Sequence, residues 1–562
     1  MDKVSALLVC VAVLAAGACG PGPPAYDVIV RGGTVYDGLG GKPYVGDVAI
    51  SGDRIAAVGK LGAAGAAQEI DASGKAVSPG FINMLSWATA SLIEDGRAMS
   101  DIKQGVTLEV MGEGWSMGPW NDRLKADALA RQGDIKYDIE WTTLGEYLEY
   151  LSAKGISPNV ASYVGASTVR IHEVGYDNRR ANSEELSRMQ DLVRAAMREG
   201  ALGVGSSLIY APANFADTDE LVALVSAAAE FGGAYISHIR SEGNRLEEGV
   251  RELIEIARTS GVPAEIYHLK ASGRPNWHKL ERVFDMIEDA RAEGLRITAD
   301  MYTYPASATG LNASMPLWVQ EGGHDAWVAR LKDPDIRARV VHEMTSPEVE
   351  WENRYLQAGP ENILLLGFKT DALKPLIGKT LKQVAGERGT DPAETAIDLV
   401  IEDDSRVDVS YFMMSEDNVR KKVARPWVSF GSDEEAPATE GVFLLSNNHP
   451  RAFGTFARVL GRYSRDEGII PLEEAIRRLT SFPAENIQIR GRGRIEQGYY
   501  ADIVVFDPAA ITDHATFPDP HRYASGVEHV FVNGAAVLKD GEHTGAMPGR
   551  IVRGPGWAGW SD

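Results

Sequence analysis

Two histidines and an aspartate stand at the ends of separate apolar, strand-like runs. His238 and His268 each lie near the end of such a run, and the stretch 246–261 between the runs has helical periodicity and ends in glycine. In a parallel β/α architecture, residues at the same ends of successive strands lie side by side, and neighbouring imidazoles make a good divalent-metal site. Asp433 ends a third run of this kind, at 427–433. The pattern predicts a metal-dependent hydrolase built on a barrel.

Composition narrows the class of protein. The chain has 562 residues, enough for a large barrel and a second domain, and a net charge of −22. No basic run or stripe is present, so we expect no nucleic-acid partner. Both cysteines, Cys10 and Cys19, lie in the N-terminal apolar segment, which excludes a disulfide framework in the body of the protein.

The N-terminal segment has the features of an export signal. Residues 5–19 are apolar, follow Lys3 and are too short for a confident transmembrane span. The end of the segment, Ala16-Gly17-Ala18-Cys19, resembles a bacterial lipobox. We therefore predict a signal peptide over 1–19, a lipid anchor on Cys19, a tether over 20–26, and a periplasmic or outer-membrane-anchored location. A plain secretory signal is the alternative.

The rest of the chain divides into two kinds of sequence. Short strands with glycine turns dominate 27–79 and 491–556, and we expect these two pieces to form one small β-sandwich. Between them, over 80–490, strand and helix patterns alternate as an α/β fold of the (β/α)8 TIM-barrel type requires. The predicted barrel strands are 81–85, 106–112, 159–165, 201–208, 234–239, 264–270, 296–302 and 427–433.

The connection between the last two predicted strands is too long for a normal crossover. It carries helical patterns of its own, such as 324–344. We predict an inserted subdomain over about 306–420 that covers the mouth of the barrel.

Many local strings resemble one family, the N-acyl-D-amino-acid deacylases (D-aminoacylases) of the amidohydrolase superfamily. The resemblance covers nearly everything after residue 26. The matching strings include SPGFIN (78–83), GVTLEVMGEG (105–114), GVGSSLIYAPANFA (203–216), ISHIRSEG (236–243), YHLKASGRPNW (267–277), GSD (431–433) and HPRAFGTFARVLGRY (449–463).

The resemblance implies a zinc site on three residues. In that family the histidines at the ends of the fifth and sixth strands bind the tightly held zinc, and they correspond here to His238 and His268. The third ligand, at the end of the second strand, is usually a cysteine, but here Glu113 stands in Gly112-Glu113-Gly114. A carboxylate can replace a thiolate at zinc, so these three residues are expected to hold one zinc with an open position for water.

The chain departs from the family at the first strand. The family has a His-x-His pair there that supplies a second metal position, but the alignment on PGFIN places Leu85 and Trp87 at those sites. Neither side chain can bind a hard or borderline cation. We therefore expect one zinc per chain and no second metal.

The remaining roles follow from the resemblance. Asp433 matches the catalytic aspartate, which takes a proton from the attacking water and returns it to the leaving nitrogen. Tyr210, Lys270 and Arg451 match the residues that recognise the substrate carboxylate. His172, a few residues beyond the third strand, is a further candidate for binding the acyl carbonyl.

The predicted function is zinc-dependent hydrolysis of a linear amide, in particular deacylation of N-acyl-D-amino acids. One alternative keeps the fold and metal but hydrolyses a cyclic amide, lactam or lactone, since a barrel and its metal do not fix the substrate. Another is an inactive binding lipoprotein, which the missing histidine pair would suggest. Metal content separates this last alternative from the two enzymes.

Overall fold

The computed structural model describes residues 25–347, 349 and 351–560. The predicted signal peptide over 1–19 and the lipidated Cys19 lie outside the described residues and stay predictions. Within the part that the structure describes, no helix combines the length and apolarity needed to cross a membrane.

The strands come in short segments along the whole chain. Their bounds are β1 Tyr26–Val35, β2 Tyr44–Ser51, β3 Arg54–Gly59, β4 Ala66–Asp71, β5 Ala76–Pro79, β6 Phe81–Asn83, β7 Val106–Met111, β8 Asn159–Ser162, β9 Val164–Gly165, β10 Gly203–Ser207, β11 Ala234–His238, β12 Ala264–Ile266, β13 Ile297–Ala299, β14 Ser307–Gly310, β15 Ile363–Gly367, β16 Asp408–Tyr411, β17 Ile503–Phe506, β18 Val527–Val532, β19 Ala535–Lys539 and β20 Glu542–His543.

Helices fill most of the connections. Their bounds are α1 Thr89–Glu94, α2 Met99–Ile102, α3 Asp122–Arg131, α4 Leu144–Lys154, α5 Ala166–Glu173, α6 Ser183–Arg198, α7 Thr218–Ala229, α8 Leu246–Ser260, α9 Lys279–Ala292, α10 His324–Leu331, α11 Pro334–Thr345, α12 Arg354–Ala358, α13 Leu381–Arg388, α14 Pro392–Asp403, α15 Glu416–Val423, α16 Arg451–Arg458, α17 Leu472–Leu479 and α18 Ser481–Asn486. Short 3-10 helices lie at Ala213–Phe215, Arg274–Asn276, Leu311–Ser314, Leu317–Gln320, Pro360–Asn362, Lys374–Leu376 and Gly441–Leu445, and a π-helix at Val459–Asp466 continues α16.

Two parallel sheets form the centre of the molecule. One has the order β6-β7-β8 and the other β13-β12-β11-β10-β9. The last strand of the first sheet, β8, and the first strand of the second sheet, β9, are separated only by Tyr163, so the chain passes directly from one sheet to the other. Helices such as α8 return the chain between neighbouring strands; α8 ends at Gly261, as the sequence predicts, where the glycine adopts a left-handed conformation with φ of 68°.

The predicted eighth strand is not a regular strand. Segment 427–433 makes a single parallel bridge on one side, Ala299↔Val428, and the residue that follows it bridges on the other side, Ser86↔Glu434. Its amides and carbonyls bond alternately to both neighbours, and the Asp433 N–H donates to the Leu85 carbonyl at 2.8 Å. The extended backbone ends there, because Asp433 has a positive φ of 54°. The prediction of a regular strand at 427–433 is therefore wrong, although the segment lies between the first and seventh predicted barrel strands, as expected for the eighth.

Both ends of the chain contribute to one mixed sheet. Its order is β20-β19-β18-β17-β5-β1-β2-β3, with β4 paired to β1. The two ends join where β17 pairs antiparallel with β5. Alternating apolar residues from both ends, such as Val30, Val48 and Ile503, fill one core beneath this sheet. Its arrangement as a sandwich stays a prediction.

The long connection after β13 has a core of its own. It contains the antiparallel sheet β14-β16-β15, and apolar side chains of its helices, such as Leu331 and Val384, share one core with Tyr411 of that sheet. The bounds predicted for the inserted subdomain, about 306–420, bracket this sheet and these helices.

A buried polar network joins the first strand to segment 427–433. The Asn83 amide donates to Glu109 at 3.0 Å, to Ser432 at 2.8 Å and to Asp101 at 3.2 Å. Burial raises the pKa of Glu109 to about 7, and hydrogen bonds from Ser86 and Asn83 offset only part of that effect. Glu109 is thus a carboxyl that the fold holds protonated at neutral pH or just below.

Glu109→Gln is expected to stabilise the protein at high pH only. Between the ordinary carboxyl pKa of 4.5 and the folded pKa of about 7, the unfolded chain releases a proton that the folded chain keeps, so stability falls as pH rises. The neutral amide avoids this loss, and we expect the free energy of unfolding to rise by about 3 kcal/mol at pH 8 and to change little at pH 4.5. Chemical denaturation at both pH values measures it. Glu149→Gln, at a carboxylate with 66% of its side chain exposed, is the control and should show no such pH dependence.

Candidate metal centre

The two histidines reach the centre by different backbone routes. His238 is the last residue of β11 and pairs in register with Ser207 of β10. His268 lies two residues beyond β12, where its φ is 35°. Its N–H donates to Asp300 Oδ1 at 2.7 Å, and this bond holds the turn that points the imidazole inward. Both rings are almost fully buried and their centroids lie 4.4 Å apart.

Glu113 owes its position to the glycines on either side. Gly112 and Gly114 have φ of 109° and 69°, a region that L side chains rarely adopt. A Cβ on Gly112 would lie 2.4 Å from the Tyr163 carbonyl oxygen, and one on Gly114 would lie 2.5 Å from Ser207 Cβ. The Gly-Glu-Gly turn is therefore packed against the neighbouring strand, and the Glu113 side chain enters the interior with only 4% of its surface exposed.

Glu113, His238 and His268 form one cluster. Glu113 Oε1 lies 2.8 Å from His238 Nδ1 and 3.1 Å from His268 Nε2. One donor atom from each residue falls within 4.8 Å of the others. His238 Nε2 is buried and has no hydrogen-bond partner. Its nearest carboxylate there is Glu242, with Oε1 at 3.5 Å. One carboxylate and two imidazoles in a buried cluster fit a zinc ion, which prefers these donors.

Opposite charges outweigh the effect of burial at the cluster. Burial raises the pKa of Glu113, but the two imidazoles lower it more, so the pKa of this carboxyl lies below its usual range. Burial lowers the pKa of His238, yet the carboxylates of Glu242 and Glu113 raise it above its ordinary value. Glu113 is therefore a carboxylate at neutral pH, the form that binds a cation.

Asp433 lies beside this cluster and is held at both oxygens. Oδ2 accepts a hydrogen bond from Arg451 Nη1 at 2.5 Å, and Oδ1 accepts one from the Trp87 indole at 3.3 Å. Burial raises the pKa of Asp433, and the Arg451 guanidinium offsets this effect only in part. A carboxylate with a raised pKa accepts a proton more readily than an exposed aspartate does.

Glu242 is a central residue that the sequence analysis missed. Its Oε1 accepts a hydrogen bond from Lys270 Nζ at 2.5 Å and lies 3.2 Å from His268 Nδ1. Its Oε2 accepts one from Arg354 at 2.9 Å, which reaches the centre from α12 of the insertion. A carboxylate behind a metal-binding imidazole fixes the orientation and tautomer of the ring. Glu242 thus connects His268 to the inserted subdomain.

Replacing Glu242 by glutamine is expected to lower the free energy of unfolding by about 3 to 5 kcal/mol. Lys270 and Arg354 are both at least 97% buried, and the substitution leaves their charges without their shared carboxylate. Urea denaturation checks this. Adding Lys270→Met removes one of the two unpaired charges, so the double variant should recover part of the loss; a double variant no more stable than Glu242→Gln would contradict the account.

The predicted carboxylate-binding residues lie around the centre, each with a partner. Tyr210 donates its hydroxyl to Thr309 at 2.9 Å, and its ring lies 5.3 Å from that of His238. Lys270 pairs with Glu242, and Arg451 pairs with Asp433. Both cations also lie against the Tyr302 ring, at 5.5 and 4.5 Å from its centroid. The structure therefore brings all three predicted residues to the metal cluster.

His172 is the exception. It lies on α5, and its Nδ1 pairs with the neighbouring Glu173 at 2.8 Å. Among the contacts of the described residues, none joins the His172 side chain to Glu113, His238 or His268. Its predicted role in binding the acyl carbonyl gains no support from this placement and stays a prediction.

Comparison with known proteins agrees with this geometry. The amidohydrolase family model matches residues 68–538. A D-aminoacylase from Alcaligenes xylosoxydans xylosoxydans is 32% identical over 531 residues, which cover 94% of this chain and 97% of that protein. A solved structure of the binuclear metal centre in D-aminoacylase, described as showing one-metal activation and second-metal attenuation, has a TM-score of 0.77 at 32% identity and covers 94% of this chain and 100% of that one.

A second solved structure carries a metal and an inhibitor. It is N-acyl-D-glutamate deacylase from Bordetella bronchiseptica with zinc and a phosphonate that mimics the tetrahedral intermediate, and it has a TM-score of 0.77 at 29% identity over 94% of this chain and 99% of that one. The fold and the site define an α/β amidohydrolase. The chain belongs to the amidohydrolase family, and its sequence and structure resemble the D-aminoacylases within it.

Proposed function

We propose that this protein hydrolyses the amide bond of N-acyl-D-amino acids with a single bound metal ion. The observation that carries the proposal is the buried cluster of Glu113, His238 and His268, with the Asp433 carboxylate joined to Glu113 through the Trp87 indole. Similarity to D-aminoacylase over 94% of the chain supports the choice of substrate class.

Glu113, His238 and His268 would hold the ion, and zinc suits a carboxylate with two imidazoles. Bound there, zinc supplies a Lewis acid that polarises the scissile carbonyl and lowers the pKa of water. We propose one ion per chain, because Leu85 and Trp87 offer no ligand at the first strand. Leu85 is fully buried in an apolar cluster with Met84 and Tyr163.

Asp433 would carry the proton. Its carboxylate is positioned beside the metal cluster and accepts a proton from the attacking water as the carbonyl is attacked. The same group then returns the proton to the nitrogen of the departing D-amino acid. The hydrogen bond from Arg451 keeps Oδ2 in place during both transfers.

Tyr210, Lys270 and Arg451 would hold the α-carboxylate of the substrate. In the structure Lys270 already pairs with Glu242, and Arg451 already pairs with Asp433. The substrate carboxylate would therefore join these two ion pairs as a further acceptor. Because each cation is already held by a carboxylate, the substrate anion would add to an ordered set of donors.

The scaffold proposed for this site is a closed (β/α)8 barrel. Its support is the pair of parallel sheets and the bridges from segment 427–434 to Ala299 and Ser86 on either side. A β-sandwich from both chain ends and the lid-like insertion complete the proposed architecture.

A matched substrate panel tests the function. The zinc-loaded protein would be assayed with N-acetyl-D-amino acids, with their L enantiomers, and with N-acetyl-D-amino-acid amides, in which a neutral carboxamide replaces the α-carboxylate. We expect turnover of the D series only, and about a 10- to 100-fold lower kcat/KM for the neutral amides, which lack the charge-assisted bonds. Hydrolysis of cyclic imides or lactones with none of the D series would overturn the proposal in favour of a different substrate on the same site.

A further inference from the structure

One indole N–H touches the carboxylates of two different segments. Trp87 Nε1 donates to Glu113 Oε2 at 3.1 Å and to Asp433 Oδ1 at 3.3 Å. Glu113 uses its other oxygen, Oε1, for the two histidines. The indole therefore binds the side of Glu113 that faces away from the imidazoles, where it also meets the proposed proton carrier.

The backbone fixes the indole in this place. The Trp87 N–H donates to the Glu434 carbonyl at 2.9 Å, and the preceding residue, Ser86, forms a parallel bridge with Glu434. The Trp87 ring packs on the buried cluster that contains Leu85 and Tyr163. An anchored backbone and a packed ring leave the N–H aimed at both carboxylates.

Charge and space both oppose a second cation here. Each Asp433 oxygen already accepts an N–H, one from Arg451 and one from Trp87. Asp433 is already paired with Arg451, and Glu242 is paired with Lys270 and Arg354. A second divalent ion between Glu113 and Asp433 would have to displace the indole and would bring two further positive charges close to the Arg451 guanidinium.

We infer that Trp87 is a positioning residue that takes the place of a second metal ion: its N–H joins the Glu113 and Asp433 carboxylates, and its ring, which offers no metal ligand, leaves the site with one cation. A neutral donor satisfies the same two oxygens without adding charge, so Glu113 stays available to the first ion and Asp433 stays oriented beside it. This inference rests on the proposed function for the role of Asp433, but its prediction of metal content does not.

Metal counting tests the inference without a substrate. Wild type, Trp87→Phe and the double variant Leu85→His/Trp87→His would be equilibrated with excess Zn²⁺, desalted and analysed by mass spectrometry, and the Co²⁺ forms compared by absorption. We expect one ion in wild type and in Trp87→Phe, and two in the double variant. Two ions in wild type, or one in a folded double variant, would overturn the exclusion of the second cation.

Kinetics test the positioning role. Loss of the one N–H that the two carboxylates share predicts roughly a 10- to 30-fold lower kcat for Trp87→Phe with KM changed less than about 2-fold. Replacing the indole by benzothiophene at position 87 removes the N–H and keeps the ring, which covers the case of a poorly folded Phe variant. Trp557→Phe, in the C-terminal segment, is the matched control. A wild-type kcat in the benzothiophene variant would refute the positioning role of Trp87.

The outcome for the proposed function is separate. If the wild-type protein binds one zinc ion per chain but deacylates no N-acetyl-D-amino acid, the proposed function is refuted, while the exclusion of a second metal ion stands.

Discussion

Asp433→Asn is expected to lower kcat by about a thousand-fold while the protein keeps its metal. General acid–base catalysis by one positioned group contributes about 10²- to 10⁴-fold, and an amide cannot accept the proton. Asparagine can still accept the hydrogen bond that Arg451 donates at 2.5 Å, so the pocket should keep its shape. Steady-state kinetics on an N-acetyl-D-amino acid, with zinc measured on the same sample, give the result.

The neighbouring acid provides the matched control for Asp433. Glu434 also approaches Arg451, at 3.5 Å from Nε, but contacts neither histidine. Glu434→Gln should therefore change kcat by less than about 5-fold. Near-normal kcat in Asp433→Asn with zinc retained would show that another group carries the proton.

Glu113→Ala is expected to abolish tight metal binding and, with it, activity. The substitution removes the carboxylate oxygen that lies 2.8 Å from His238 Nδ1 and 3.1 Å from His268 Nε2, and it leaves two ligands where zinc sites in enzymes use three. We expect the dissociation constant for zinc to rise at least about a hundred-fold, as measured by competition with a chelator.

A thiolate should restore what alanine removes. Glu113→Cys supplies a different zinc ligand from the same Gly-Glu-Gly turn, and it should bind zinc more tightly than Glu113→Ala. Glu109→Gln, four residues earlier on β7, is the control and should leave affinity unchanged. Equal zinc affinity in Glu113→Ala and wild type would remove Glu113 from the metal site.

Periodicity and the resemblance together predict the parts of the site that come from strand ends. His238 stands at the end of β11, and α8 begins and ends almost where the pattern places it, because an apolar strand and an amphipathic helix each leave a local signal. Glu113 is predicted through the glycines beside it. The segment 427–433 is harder, since single bridges at Val428 and Glu434 leave the same apolar pattern as a full strand.

Contacts made across the fold leave no such signal. Glu242 follows β11 by four residues and looks like a polar loop residue, yet it lies 1% exposed between Lys270 and Arg354. Its partner Arg354 lies in the insertion, and only tertiary packing brings the two together. The sequence likewise shows that Trp87 cannot be a ligand, but not that its N–H joins Glu113 to Asp433.

Zinc titration of the chelator-treated protein tests the central claim most directly. Aliquots with increasing zinc would be assayed on N-acetyl-D- and N-acetyl-L-amino acids, with bound zinc measured in each aliquot. We expect hydrolysis of the D substrate to rise in proportion to bound zinc and to stop rising at one ion per chain, with no turnover of the L substrate. Activity that is independent of bound zinc, or that begins only with a second ion, would contradict it.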